Sequence, residues 1–446
     1  MADSIPQFTD VDVETEAPPS TGRTRIFKQS DSASTNEVAK PVTKRRNLLA
    51  NIDLPLLILL GLLLAIGSLM IYSATFDWSY TDYGSATYIF MQHVRNLAIG
   101  LTFFVLLTFI NYRVWKRFVV LFLLITIATL IAVLLFSDQT FGANRAFING
   151  SYQPGELAEL AVVVYMAAWL SSKKTKIRSI TQGLIPFAVI IAIIGGLVAL
   201  QPDLSTTVTI FIVAGTMYFL AGANVIHLGA VLATMGISGY VVSEHTSYAQ
   251  GRLGSFLAGL NDVSQSTYQA QQAIIAFLNG GWTGVGLGQG SQKFGFLPTP
   301  HTDSIFAVIG EELGFIGAAF VIALFVLFVI RGLQIARKAH DPFGAMLASG
   351  ITLWIITKAM MNIAVMIDLI PTTGVALPFI SYGGSSLISV LAGTGLLFSV
   401  ARVTATENMP EGRKSGAHDD RGWGNRWTRL SSNSGRRGTQ RSTPRQ

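Results

Sequence analysis

Asp303 is the residue in this chain best placed to do chemistry. It stands in the segment GVGLGQGSQKFGFLPTPHTDSIFAVIGEELG, residues 284–314, where a polar, glycine-rich stretch leads directly into a long apolar run. An aspartate at the start of an apolar helix can cap that helix, or it can stay ionised and accessible and act as a general base or bind a ligand. Both interpretations of Asp303 remain open on the sequence alone.

The other acids and the glycines of this segment narrow the possible chemistry. Glu311 and Glu312 lie about 12 Å beyond Asp303 along a helix, so they do not form a local acid and base pair with it. The glycines at alternate positions match neither a dinucleotide-binding loop nor a Walker loop, and no strand precedes them. They favour a flexible loop and predict no nucleotide.

Ionisable residues near the ends of other apolar runs are further candidates. Lys358 lies within an apolar run, where an unpaired charge is costly, so we expect it either to pair with Glu159 or Glu156 or to face a water-filled cavity. Four residues could bind an anionic substrate such as a lipid pyrophosphate, or could simply be solvated or contact lipid headgroups: Arg145, Arg252, Lys293 and His301.

The composition places these residues in a polytopic membrane protein. Half of the 446 residues are hydrophobic and only 13% are charged, with a mean hydropathy of +0.48. Cysteine is absent, which excludes disulfides and thiolate metal sites. The first apolar run begins at Leu54 and is about 20 residues long, which fits a retained membrane anchor better than a cleaved signal peptide.

Ten apolar runs predict an all-α protein with ten transmembrane helices. Connections rich in Lys and Arg alternate with connections that nearly lack them, so both termini are expected in the cytoplasm and residues 244–304 are expected to form a large extracytoplasmic loop between helices 7 and 8. Within that loop, residues 273–278 are too short to span and are expected to be interfacial or re-entrant. The runs lie at about 54–73, 96–111, 118–136, 156–170, 183–200, 204–221, 224–243, 305–330, 346–367 and 383–401.

Two tails flank the membrane domain of residues 47–403. Residues 1–46 balance seven acids against seven bases and lack apolar periodicity, which predicts a disordered cytoplasmic tail. Residues 404–446 carry nine Lys or Arg against four acids and predict a disordered basic tail that binds anionic lipids and no nucleic acid.

Several ordered motifs resemble the SEDS family (shape, elongation, division and sporulation), which includes FtsW and RodA. The resemblance covers about residues 50–403, and the wording GQGSQKFGFLP and IGEELG is closer to FtsW than to RodA. The motifs are GANRAF with Arg145, YQPGELA with Glu156, QPDLSTTV with Asp203, YQAQQ with Gln269 and Gln272, FLPTPHTDSIFAVIGEELG with Asp303, and LIPTTGVALPFISYGGSS with Ser381.

The resemblance implies a peptidoglycan glycosyltransferase that polymerises lipid II on the outer face of the bacterial cytoplasmic membrane, at the division septum. Asp303 would be the general base, and a divalent cation, Mg²⁺ or Mn²⁺, could assist at a metal site that the sequence does not identify. A class B penicillin-binding protein transpeptidase and the division machinery would be its partners. Its substrate-binding residues would include Arg145, Glu156, Gln269, Gln272, Lys293, His301 and Ser381.

One departure from the family concerns a charge. The family commonly has Lys at the position of Glu159 and a neutral residue at that of Lys358, which predicts that the two charges are exchanged between helices here. Three alternatives to a division polymerase remain: a lipid II flippase, an elongation polymerase of the RodA type, and a scaffold whose tails recruit partners. A flippase would hold its key polar groups near the membrane midplane, whereas the candidate residues here gather in the predicted outer loops.

Overall fold

The protein, seen in a computed structural model, is built from helices. The structure describes residues 51–136, 153–172, 176–201, 203–227 and 247–407, with some residues of 229–236, and the described part contains no strand. Its α-helices are α1 Leu54–Tyr83, α2 Tyr88–Phe109, α3 Trp115–Phe136, α4 Pro154–Ser172, α5 Ile185–Ala199, α6 Leu204–Leu220, α7 Ser247–Gly259, α8 Tyr268–Gly280, α9 Ile305–Lys338, α10 Pro342–Met366 and α11 Gly384–Glu407.

Eight helices are long and apolar enough to cross a membrane: α1, α2, α3, α4, α5 with its preceding turn, α9, α10 and α11. The apolar helix α6 is shorter, at 17 residues. Most of the predicted run at 224–243, the tail 1–46 and residues 408–446 lie outside the described residues. The predicted disordered tail 404–446 begins too early, because residues 404–407 are the last turn of α11. The prediction of an all-α polytopic membrane protein is confirmed, while the count of ten helices and the sidedness of the termini stay predictions.

The helices α4, α10 and α11 form the interior of the bundle, and most of their residues are buried. The helices around them turn apolar side chains outward, as Leu135 and Phe136 at the end of α3 show. Helices suit this setting because they satisfy their own backbone hydrogen bonds where no water is present. Glycine lets α2 and α11 approach closely, since a Cβ on Gly395 would lie 2.7 Å from the Phe104 carbonyl oxygen.

The helix α9 is broken at Gly314. Gly314 has φ +69° and ψ −171°, a backbone conformation that glycine alone adopts readily. Residues 281–286 run beside the break and replace the lost helical bonds: the Phe315 amide donates to the Gly281 carbonyl at 2.9 Å, and the Val285 amide donates to the Glu311 carbonyl at 3.0 Å. The outer half of α9, residues 305–313, is therefore a separate short helix that begins beside Asp303.

The glycine-rich loop 284–292 is anchored by two buried carboxylates of that outer half. Glu311 accepts hydrogen bonds from the amides of Ser291 and Gln292 at 3.0 and 3.1 Å. Glu312 accepts from the Gly288 amide at 3.0 Å. The loop thus wraps around Glu311 and Glu312, and both acids hold structure at a distance from any reacting group.

The predicted short element at 273–278 is part of α8, which packs on α9. Ala270, Ala273 and Ala276 are fully buried on one face of α8. At 13 residues α8 is too short to span a membrane, as the sequence predicted. Its contact with α9 places the first turn of α8 next to Asp303.

Candidate functional site

A cavity of about 520 Å³ lies where three helices begin. Gln153 and Glu156 belong to the start of α4, Thr302 and Asp303 directly precede α9, and Gly383 to Ser386 form the start of α11. The basic connections predict that this end of the bundle faces outward. The remaining lining residues are Gln92, Arg95, Asn96, Arg252, Thr299, Thr373, Gly374, Ala376 and Tyr382.

Asp303 presents its carboxylate to the cavity among hydroxyl and amide donors. The Thr302 hydroxyl donates to Oδ1 at 2.8 Å and the Thr299 hydroxyl also donates to Oδ1. The Gln269 amide donates to Oδ2 at 3.5 Å. None of the six ion pairs among the described residues includes Asp303, so this carboxylate is oriented by neutral groups.

Asp303 does not cap α9. The N-cap residue is Ser304, and the hydrogen bonds to the Asp303 carboxylate come from side chains. The capping interpretation is therefore wrong. The Ser304 hydroxyl accepts a hydrogen bond from the Gln269 amide at 2.9 Å and donates one to the Pro298 carbonyl at 2.8 Å. The neighbouring carboxylate of Asp303 is turned to the cavity.

Two buried polar residues fix the backbone on either side of Asp303. The Asn362 amide on α10 donates to the Asp303 carbonyl and to the Val375 carbonyl, both at 2.7 Å. The Ser381 hydroxyl donates to the Thr302 carbonyl and accepts from the Leu377 amide at 2.7 Å. The loop 367–383 is thereby tied to the loop that carries Asp303.

The cavity carries two cations, Arg95 and Arg252. Arg95 is exposed on α2, and the guanidinium of Arg252 donates to the Thr372 carbonyl at 2.7 Å. Tyr382 closes one side, where its hydroxyl donates to Gln92 Oε1 at 2.8 Å. Because helix starts carry a partial positive charge, the three helix starts add to the two arginines, and these positive features stand against the carboxylates of Asp303 and Glu156 in the same cavity.

A buried cluster of charges adjoins the cavity. Lys358 Nζ lies 2.5 Å from Glu156 Oε2 and 3.0 Å from Glu159 Oε2, so the structure brings Lys358 together with both proposed partners. The Trp354 indole N–H also donates to Glu159 Oε2 at 2.8 Å. A side chamber of about 70 Å³ beside this cluster is lined by both glutamates, Lys358 and Asp203. Lys358 of α10 and the two glutamates of α4 thus form one buried ion cluster, while the exchange of charges relative to the family stays a prediction.

The residues predicted to bind substrate lie in different places relative to the cavity. Glu156 lines the cavity, Gln269 contacts Asp303, and Ser381 supports the loop behind it. Gln272 and His301 are not among the lining residues. Arg145 lies outside the described residues.

Lys293 is placed away from the cavity. Its ammonium is buried, 2.6 Å from Glu312 Oε1 and 2.9 Å from the Ser73 hydroxyl, and it lies over the rings of Phe76 and Phe294. The sequence could not separate this buried cation from an exposed one, because its partner Glu312 is 19 residues away and on another element. Its contacts favour a role in holding the glycine-rich loop.

His301 is packed between aromatic rings behind the cavity. Its ring lies 4.5 Å from that of Trp78 and 5.6 Å from that of Tyr382. Its Nδ1 atom is buried without a hydrogen-bond partner. Burial lowers the pKa of His301 to about 4, an effect that the charge of Asp303 partly opposes. His301 is therefore neutral at physiological pH and supplies no positive charge to a substrate.

A divalent cation would find few protein ligands here. Among the described residues, no three His, Asp or Glu side chains are grouped as metal ligands, and Glu156 already contacts Lys358. Mg²⁺ often binds through one or two carboxylates and substrate phosphates. The divalent cation stays a prediction, and no catalytic step is derived through it.

The sequence reasoning missed part of the cavity wall. Gln92, Arg95 and Asn96 are spaced as neighbours on one face of a helix, and this polar patch at the start of an apolar run could have marked them. Thr299 and Thr302 precede Asp303 by four residues and one residue, and hydroxyls so close in sequence to an accessible carboxylate are candidates to orient it.

Fold and cavity together define a polytopic helical membrane protein with a polar, carboxylate-bearing cavity formed by helix starts. Residues 54–406 match the family described as "Cell cycle protein", whose members include FtsW, RodA and stage V sporulation protein E. The chain belongs to this family, and the resemblance drawn from its motifs is confirmed.

The chain aligns with its curated relatives over most of their lengths. The chain is 36% identical over 358 residues to the probable peptidoglycan glycosyltransferase FtsW of Trichlorobacter lovleyi, which covers 79% of this chain and 94% of the relative. It is likewise 36% identical over 355 residues to stage V sporulation protein E of Bacillus subtilis, covering 78% and 97%. Matches named FtsW favour the FtsW type that the motif wording suggested.

Two solved structures share the fold. The rod shape determining protein RodA of Thermus thermophilus superposes with a TM-score of 0.60 at 23% identity, covering 80% of this chain and 98% of that one. A chain from a peptidoglycan synthase complex superposes with a TM-score of 0.65 at 24% identity, covering 80% and 99%. At these identities the likeness concerns the fold.

Proposed function

We propose that this protein is a peptidoglycan glycosyltransferase that polymerises lipid II during cell division. The observation that carries the proposal is the Asp303 carboxylate, which faces a 520 Å³ cavity and already accepts hydrogen bonds from two hydroxyls. The names of its relatives support the same activity. The volume falls within the ~300–1,000 Å³ range of small-molecule sites.

In the proposed reaction, Asp303 is the general base. Its carboxylate takes the proton of the C4 hydroxyl of the acceptor GlcNAc, and that oxygen attacks the anomeric carbon of the growing glycan. The new glycosidic bond forms as the bond to undecaprenyl pyrophosphate breaks, and the pyrophosphate leaves with both electrons. A hydroxyl that enters the cavity meets a carboxylate whose neighbours already hold it ready to accept such a proton.

The leaving pyrophosphate would be stabilised by the positive features of the same cavity. Arg95, Arg252 and the start of α11 at Gly383 to Ser386 all line it. Cations and helix starts stabilise a developing negative charge when they are fixed before the reaction begins. A class B penicillin-binding protein at the septum of the cytoplasmic membrane would then cross-link the strand, which is consistent with a structural neighbour found in a peptidoglycan synthase complex.

The test is polymerisation of purified lipid II by the full-length protein in detergent, with and without the transpeptidase partner. We expect Asp303→Ala and Asp303→Asn to slow the reaction about a hundredfold or more, because a general base contributes about that much. The matched control is Asp82→Asn, an exposed acid at the end of α1 that is not among the residues lining the cavity, and it should polymerise at the wild-type rate.

Two outcomes would oppose the proposal. Asp303 variants that polymerise as fast as wild type would remove Asp303 from the chemistry. A wild-type protein that makes no polymer in detergent but moves lipid II across the membrane of sealed vesicles would be a flippase. The two assays separate the activities because transport needs two compartments, which a detergent micelle does not have.

A further inference from the structure

A second cavity, of about 220 Å³, lies at the opposite end of the bundle from Asp303. It is formed where α1 begins and where α9 and α11 end, and the basic connections predict that this end faces the cytoplasm. Its walls combine polar groups with small or apolar ones. The lining residues are Asp53, Arg331, Gln334, Ile335, Lys338, Ala401, Thr404 and Ala405.

The polar groups of this cavity are mainly hydrogen-bond donors. Arg331 has five N–H groups, and two bond Asp53 at 2.9 and 2.8 Å while a third bonds Gln334 Oε1 at 2.8 Å, so two remain. Because the Gln334 oxygen accepts from Arg331, its amide group is left to donate. The one acid, Asp53, is occupied by Arg331 and by the Leu56 amide of α1.

Two further donors in the wall lack a partner within the described residues. The exposed Lys338 makes no ion pair or hydrogen bond there. The Thr404 hydroxyl is buried, with the residue 5% exposed, and has no hydrogen-bond partner. Helical threonines usually donate to the carbonyl four residues back, as Thr394 and Thr406 do at 2.8 Å. The Thr404 oxygen is enclosed by protein, so it reaches the cavity only after the side chain rotates. Because an unsatisfied buried hydroxyl is costly, a ligand that accepts from the rotated hydroxyl would be favoured.

We propose that this cavity binds a phosphate group, supplied by the headgroup of an anionic phospholipid. Arg331 and Lys338 against Asp53 leave one net positive charge, and the free groups are donors that suit phosphate oxygens. The apolar Ile335, Ala401 and Ala405 lie beside these donors and suit the glycerol and upper acyl chains of a lipid. Basic pockets between transmembrane helices on the cytoplasmic side are known to accept such headgroups.

The test measures lipid binding by the purified full-length protein. Phosphatidylglycerol, phosphatidylcholine or inorganic phosphate is titrated in detergent, and binding is followed by native mass spectrometry and thermal unfolding. We expect phosphatidylglycerol to bind more tightly than phosphatidylcholine. Lys338→Gln should weaken its binding about tenfold, the scale of one charge-assisted hydrogen bond, and Thr404→Val about threefold.

Two matched controls keep the test specific. Arg337→Gln removes the same charge from the neighbouring exposed residue, which does not line the cavity. Thr406→Val removes a hydroxyl that donates to the Arg402 carbonyl and accepts from the Asn51 amide, and that does not line the cavity. Both should bind phosphatidylglycerol within about twofold of wild type, a difference small on the scale of one hydrogen bond.

The outcomes separate the sources and the competing explanation. Inorganic phosphate could protect the protein against thermal unfolding as strongly as phosphatidylglycerol does, and with the same dependence on Lys338. That result would support the phosphate site and assign it to a soluble phosphate. Equal losses in Lys338→Gln and Arg337→Gln would show diffuse surface charge and overturn the proposal, as would equal binding of the two lipids.

Discussion

The residues around Asp303 show how a carboxylate can be oriented without a cation. Its neighbours are two threonine hydroxyls and the Gln269 amide, while Lys293 is directed to Glu312. Arg95 and Arg252 line the same cavity and make no ion pair with Asp303. In the proposed reaction, the base and the anion-binding groups would thus be different residues, which suits a reaction that both removes a proton and expels a pyrophosphate.

We expect His301 to make the stability of the protein depend on pH. Burial lowers its pKa from 6.5 to about 4, so the folded protein binds this proton less readily than the unfolded chain. The sign follows: this contribution is fully favourable above pH 6.5 and is lost as the pH falls toward 4, by about 2 kcal/mol at pH 5. Thermal unfolding between pH 7.5 and pH 5 measures the loss.

His301→Phe is the informative variant for this prediction. It keeps a ring against Trp78 and removes the titrating nitrogen, whose Nδ1 makes no hydrogen bond in the wild type. Its stability should vary less with pH than that of the wild type. If both proteins lose the same stability between pH 7.5 and pH 5, His301 does not carry the effect.

At the scale of elements, the break in α9 links the glycine-rich loop to Asp303. The outer half of α9 is hydrogen-bonded to the backbone of residues 281–286. Its Glu311 and Glu312 side chains accept hydrogen bonds from the glycine-rich loop. The glycine-rich loop and the helix that starts beside Asp303 are therefore joined by both backbone and side-chain hydrogen bonds. The sequence showed the glycines but could not show this, because the apolar run continues through Gly314 without interruption.

Gly314→Ala should destabilise the protein by about 2–3 kcal/mol, because alanine is strained at φ +69° and ψ −171°. Its Cβ would also lie 2.6 Å from the Trp282 carbonyl oxygen. The matched control is Gly61→Ala in α1, where a Cβ meets nothing within 4 Å and alanine favours the helix. Thermal unfolding in detergent compares them, and equal stability of the two variants would contradict the role of the break.

At the scale of the whole molecule, Lys358 connects α4 and α10 near the cavity. Lys358→Met would leave Glu156 and Glu159 buried beside each other without a cation. We expect a loss of about 3–5 kcal/mol in the free energy of unfolding. Glu159→Gln keeps the contact between Lys358 and Glu156, so it should cost less in the same thermal unfolding assay. A Lys358→Met protein as stable as Glu159→Gln would refute the ion cluster as a stabilising element.

The parts of the molecule differed in how far the sequence could predict them. The eight spans followed from runs of apolar residues, and the partners of Lys358 followed from the cost of a lone buried charge. The cavity wall could not be predicted from the sequence, because Gln92, Asp303 and Tyr382 are far apart in the chain and meet only in the folded bundle. The break in α9 also depends on a contact between distant backbone segments.

The helix starts around the cavity have a consequence for mutational scanning. The starts of α4, α9 and α11 lie at the cavity, where their aligned peptide dipoles favour negative charge. Substitution by alanine leaves those dipoles in place. If the cavity binds pyrophosphate as proposed, an alanine scan should detect Asp303 and the arginines but underestimate the total attraction for the anion, so fewer positions will be sensitive than contribute to binding.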